Sequence, residues 1–345
     1  MDLQIALFLA QDGITTGAIY ALLSLALVLV FAVTRVIFIP QGEFVAYGAL
    51  TLAMIQTGTL PATIWLLVAM GALTAALDGF DALKRKRTRT FFKILAWNVG
   101  YPVTLLLALE TLPLQTLPML AQIVLALTII VPMGPLMYRL VYQPIASAPV
   151  LILLITSVAV HVAMAGLGLL FFGAEGQRTP AFSDARFELG MLQITGQSLW
   201  VIFASFGLIA GLYLFFERSL YGKALKATAF NRVGARLMGI SPVLAGRLTF
   251  SLAALIGALS GILIAPITTI YYDTGFLIAL KGFVGAIIGG LASYPIAAAG
   301  ALVVGLLEAF SSFWASAYKE VIVFTLIIPV LLWRSLKSHH MEEEE

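Results

Sequence analysis

Ionisable side chains are scarce in this 345-residue chain, and those falling inside apolar stretches are the first candidates for chemistry: Glu43, Asp273, Lys281 and Glu308, with His161 as a titratable fifth. A charge at membrane depth is expensive, so it is kept where it pairs, lines a polar path or reaches the interface. Glu43 follows Pro40 and Gly42. It either caps the next helix start, where a carboxylate meets the positive dipole end, or serves in gating a pathway. Asp273 follows Tyr271 and Tyr272 at the mouth of an apolar run and reads as interfacial. Lys281 can snorkel or pair with Glu308 in a buried structural pair, with substrate contact as the alternative. His161 stands alone on an apolar run, as a hydrogen-bonded packing residue or as part of a proton relay. No catalytic or metal-binding constellation assembles from these. Two of the three histidines lie in the tail, Cys is absent, and no G-x-x-x-x-G-K-[ST] occurs. We therefore expect a chain that is not an enzyme, hydrolyses no ATP and holds neither metal nor cofactor.

The elements that must position these residues follow from composition. The chain is 61% hydrophobic and 11% charged, against roughly half and about a quarter in ordinary globular proteins. That excludes a soluble domain, intrinsic disorder and nucleic-acid binding, and leaves the lipid bilayer as the main solvent. The expected fold is all-α, a polytopic transmembrane bundle. About eleven apolar segments stand out: Ile5–Val33, Phe44–Gln56, Leu60–Leu77, Ile94–Leu109, Leu117–Met137, Val150–Phe172, Ser198–Phe216, Leu248–Ala265, Phe276–Ala292, Ile296–Trp314 and Val321–Trp333. The second would span only ~20 Å as a straight helix, so it is tilted, re-entrant or half of a broken helix. Pro40, Gly42, Gly289, Gly290 and Pro295 interrupt spans, where discontinuous helices can turn backbone groups toward a polar solute. Of these, Pro40, Gly42, Gly289 and Gly290, together with Gln41, Glu43, Lys281 and Glu308, are the candidate lining of a translocation path. Small-residue pairs at Gly13/Gly17, Gly207/Gly211, Gly257/Gly261 and Gly285/Gly289 predict close helix packing.

Orientation follows from the basic residues. The first is Arg35, beyond the first apolar run, so the start reads as a retained helix and not as a secretory signal. Alternating the segments places sixteen of the twenty Lys and Arg on one side, including the run Lys84 to Lys93 and the segment Arg218 to Arg247. Basic loops stay in the cytoplasm, which puts the N-terminus outside and the C-terminus inside.

The segment Glu217 to Arg247 is long, basic and patterned. Leu225, Ala229, Val233 and Leu237 recur every fourth residue, which predicts one amphipathic helix with an apolar stripe, stopped at Gly239. Such a helix can lie on the anionic leaflet, retain the loop inside, or seat in a groove of a soluble partner.

The phrase YGKALKATAFNRVGARLMGISPVLAGRLTFSLAALIGALSGIL (Tyr221 to Leu263) resembles the cytoplasmic loop and following span of permease subunits of ABC importers for branched-chain amino acids. GAIYALLSLALVLVFAVTRVIFIPQGEFVAYGA (Gly17 to Ala49), YRLVYQP (Tyr138 to Pro144), GFLIALKGFVGAIIGG (Gly275 to Gly290) and the closing GLLEAFSS and YKEVIVFTLI extend the likeness over most of the chain. Two departures stand out. Phe38 to Glu43 lacks the Asn and His of the family's N-F-A-H-G-E, and Ala292 to Ile296 replaces G-S-x-P-G. About 61–116 reads as an inserted helix pair within a single permease domain, 1–338, that ends in a polar tail, 339–345.

The resemblance implies a multi-pass subunit of a bacterial inner membrane that moves branched-chain or related amino acids. It works with two cytoplasmic ATPase subunits, a second permease (the same chain or a related one) and a periplasmic binding protein. The coupling residues on the matched loop (217–247) would be Gly222, Ala224, Ala227, Ala229, Arg232, Arg236, Gly239 and Ile240. Urea, an amide or a sugar would suit the same sparse charge, and an ATPase-independent secondary transporter is the alternative from another class.

Overall fold

The computed structural model describes residues 3–189 and 192–342. Within them the chain is a helical bundle with a single two-stranded hairpin, β1 (Arg186–Leu189) and β2 (Leu192–Thr195), paired antiparallel. Nine helices are long and apolar enough to cross a bilayer among the described residues. Two short ones, α2 (Gln41–Gln56) and α13 (Thr274–Ile288), complete the eleven apolar segments.

Helix α1 (Leu3–Thr34) is the central post, buried along most of its length. It ends where Arg35 adopts a left-handed conformation (φ 63°), and a non-helical stretch to Pro40 leads into α2. Helix α3 (Thr63–Lys84) runs back to the basic end. α4 (Thr88–Leu95) and α5 (Tyr101–Thr111) are joined through a π-helical turn, Ala96–Gly100. Pro102 has no N–H for the Asn98 carbonyl four residues earlier, so that turn widens and presses the carbonyl against Gly71 of α3. α6 (Met119–Ile130) and α7 (Met133–Met137) end in a second π-helical turn, Tyr138–Tyr142, for which Pro144 supplies the same cause at Leu140. α8 (Val150–Phe172) and α9 (Gly196–Arg218) flank the hairpin segment. The short helices α10 (Leu220–Phe230) and α11 (Arg232–Leu237) precede α12 (Pro242–Ile264). After α13 come α14 (Tyr294–Trp314), α15 (Lys319–Thr325) and α16 (Ile327–Glu342). The polar tail continues α16 as far as Glu342, and residues 343–345 lie outside the described residues.

The core forms where α1, α2, α12, α13 and α14 pack against one another. Lipid supplies no hydrophobic drive between helices, so close backbone approach does the work. Gly13 and Gly17 of α1 sit against Leu302, Gly305 and Leu306 of α14. Gly257 and Gly261 of α12 sit against α2, and Gly285 of α13 and its C-cap Gly289 against Ala301 and Ala297 of α14. Gly207 and Gly211 share the spacing, but a Cβ added at either would meet nothing within 4 Å, because that face of α9 points away from the bundle. Gly305→Leu is therefore expected to cost about 3 kcal/mol by overpacking, seen as a lowered melting temperature in detergent. Gly211→Leu leaves the melting temperature of the isolated chain unchanged.

Candidate functional site

Among the described residues, three polar assemblies hold the candidates that the sequence singles out. The first sits where the two short helices begin. Gly42, in the first turn of α2, lies against the backbone of Gly275 and Phe276 at the start of α13, so the two helix openings meet main chain to main chain. Glu43 is fully buried, and its Oε1 lies 2.6 Å from Nδ1 of His161 on α8. The imidazole in turn stacks on Phe276, 4.3 Å between centroids. Gln41, also buried, donates from Nε2 to the Ala253 carbonyl midway along α12 (3.0 Å). Oε2 of Glu43 and Oε1 of Gln41 have no hydrogen-bond partner among the described residues. Buried acceptors of this kind stay costly until something donates to them. Pro40 stands at the N-cap position of α2, and Glu43 does occupy the first turn.

The second assembly ties α1, α13 and α14 together. Lys281 forms an ion pair with Oε1 of Glu308, and the Tyr20 hydroxyl donates to Oε2 of the same carboxylate (2.6 Å). Both oxygens are thus satisfied, as a buried pair requires. Gly289 and Gly290 lie apart from both assemblies, at the far end of α13. There Gly290 (φ 65°) and Leu291 (φ 55°) make the turn into α14. Asp273 is exposed just ahead of α13.

The third assembly is the basic loop. One continuous amphipathic helix does not form: Asn231 ends α10 and caps α11, its Oδ1 accepting from Gly234 N (2.9 Å). A residue with a short polar side chain competes for the backbone and starts a new helix, although the apolar spacing runs on through it. The break splits the expected stripe. Leu225 is buried against Leu29 and Val33 of α1 and Ala245 of α12, with Ala229 half-buried beside it. Val233 and Leu237 face outward with Phe230 and Met238, which are 95% and 83% exposed.

The loop is braced on its own spans. Gly222 lies under the Phe215 and Phe216 backbone at the Ser219 corner, Lys226 pairs with Glu217, and Arg232 Nη1 donates to the Ala146 carbonyl (3.2 Å). Gly239 (φ 82°) closes α11. Ala227, Arg232, Arg236 and Gly239 are exposed. Ala224, Ala229 and Ile240 are half-buried and Gly222 is buried. The loop shares one end of the bundle with Arg35, which lines a common cleft with Lys226 and Phe230.

Sequence reasoning did not pair Glu43 with His161, since they are 118 residues apart and nothing in either neighbourhood marks the other. Phe230 and Met238 escaped it too, although Asn231 as a helix cap would have exposed the split.

Comparison with known proteins finds relatives along most of the chain. A high-affinity branched-chain amino acid transport system permease protein, LivH, of Salmonella typhimurium is 26% identical over 346 residues, 96% of this chain and 95% of the relative. LivH of Escherichia coli K12 matches to the same extent. BraD of Pseudomonas aeruginosa, described in the same words, is 28% identical over 243 residues, 68% of this chain and 79% of its own length. No solved structure matches significantly. The family model described as "Branched-chain amino acid transport system / permease component" matches residues 96–331, and with that match over most of its length the chain belongs to this family of multi-pass membrane permeases.

Proposed function

We propose that this chain is the membrane-embedded subunit of an ATP-driven importer of branched-chain amino acids in a bacterial inner membrane. It would be partnered by two cytoplasmic ATPase subunits, a second permease and a periplasmic binding protein. The observation that carries the reading is the two-faced loop. Its inner face (Leu225, Ala229) seats on α1 and α12, while Phe230, Val233, Leu237 and Met238 project away from the bundle, flanked by Arg232 and Arg236. An apolar ridge with a charged rim suits a groove on a soluble protein, and the bracing lets a push on the ridge reach the spans. The basic end of the bundle is then cytoplasmic, with the N-terminus outside.

The path runs past the junction of α2 and α13. There the unpartnered oxygens of Gln41 and Glu43 accept from the α-ammonium of a passing amino acid, and the neutral walls suit its apolar side chain. Glu43→Gln removes the charge while keeping the volume. Uptake is expected to fall about tenfold or more, the scale of one charged hydrogen bond, with ATPase association unchanged.

The decisive experiment is co-purification from native membranes. Two P-loop ATPases and a second permease should accompany this chain, and ATP hydrolysis by the reconstituted complex should rise on adding binding protein loaded with leucine. Purification alone, with transport driven by an ion gradient, overturns the reading.

A further inference from the structure

Between the α3–α5 helices and the core lies a cavity of about 300 Å³ that the transport reading does not use. Its floor is charged. Arg139 binds Asp78 through Nε (2.8 Å) and Nη2 (2.5 Å), and Arg247 reaches the other carboxylate oxygen only at 3.7 Å. Two guanidiniums therefore share one carboxylate, which leaves one net positive charge. Arg247 Nε is buried without a partner among the described residues, although the side chain is 41% exposed.

The walls are of another kind. Trp97 and Tyr101 stack at 5.9 Å, Trp97 facing outward, with Asn98 beside them. Both π-helical turns of the described residues border the space: Ala96–Gly100 brings Trp97 and Asn98, and Tyr138–Tyr142 brings Arg139. Widened turns of this kind re-aim side chains and recur at functional sites. The basic run Lys84 to Lys93 closes α3 and opens α4 just beyond Asp78 and just before Trp97, while Leu67 and Thr74 continue the lining along α3, so the charged end of the cavity falls near headgroup depth, where an indole is at home.

A cationic floor with an unused donor, an aromatic wall open to lipid and a basic rim above together fit one ligand chemistry, a phosphodiester carrying acyl chains. The geometry points to a binding site for an anionic phospholipid, whose phosphate takes Arg247 and Arg139 while its chains run along Trp97. The α3–α5 pair then has a role of its own: it builds half of a lipid site that fastens it to α12.

The test uses the full chain in phosphatidylcholine vesicles containing brominated phosphatidylglycerol or brominated phosphatidylcholine at equal fraction, with tryptophan quenching as the readout. Phosphatidylglycerol should be preferred about fivefold, the effect of one basic side chain near the surface. Arg247→Gln brings the preference to parity, and Arg247→Lys retains it. Trp97→Phe removes the selective part of the quenching and leaves the general part. Millimolar inorganic phosphate leaves the preference in place. Equal quenching by the two lipids in the wild type, a preference that survives Arg247→Gln or Trp97→Phe, or one erased by phosphate alone would overturn the assignment.

Discussion

Leu237→Asp is expected to abolish coupled uptake while leaving the protein folded and inserted. Leu237 is 83% exposed at the tip of α11 and its side chain braces nothing in the bundle, so the substitution removes no internal packing. In the proposed complex the same position is desolvated in a groove of the ATPase. There the loss of an apolar anchor and the burial of an unpaired carboxylate act in the same direction. Affinity for the ATPase should fall about a hundredfold, the range of an interface hot spot. The measurement is ATPase co-purification and leucine uptake in proteoliposomes, beside a thermal melt of the permease alone. An unchanged melt with lost uptake is the expected pair, and retained uptake would refute the docking role. Phe230→Asp should behave alike. Substitutions at Ala229 or Gly239 are blunter tools. Ala229 faces the chain's own spans, and the left-handed backbone at Gly239 (φ 82°) cannot accommodate a proline, so both disturb the loop before any partner is involved.

Lys281→Met should destabilise the protein by about 3–5 kcal/mol, because the Glu308 carboxylate then keeps only the Tyr20 hydroxyl for company in a buried setting. Thermal or denaturant unfolding of the detergent-solubilised chain reads this directly. The double variant Lys281→Met/Glu308→Gln should recover most of the loss, since it removes both charges together. Its uptake separates two roles for the pair. A purely structural tie leaves transport near wild type once stability is restored, whereas contact with the solute leaves a stable protein that transports poorly.

Much of this architecture is legible in the residues. Val150–Phe172 is bounded by Pro149 and Gly173, the strongest local stops, and the helix found there has the same limits. Lys281 and Glu308 are opposite charges in spans with few others, so their pairing follows from scarcity. What escapes is direction. Gly207/Gly211 and Gly257/Gly261 have identical spacing, yet one pair faces outward and the other lies under α2, because spacing defines a face without saying what meets it. The break at Asn231 is hidden by a hydrophobic rhythm that passes over it. The Glu43–His161 contact depends on how α8 leans on α2, which no local pattern encodes.

The seam between α2 and α13 has a further consequence. Because Gly42 and Gly275 meet through their backbones, that contact has no side chain of its own that could swing aside to open it. Whatever passes between these helices must wait for one of them to shift as a rigid body. In the proposed importer a single displacement would then govern both leakage and turnover, and the resting state would keep the membrane electrically tight without a dedicated plug.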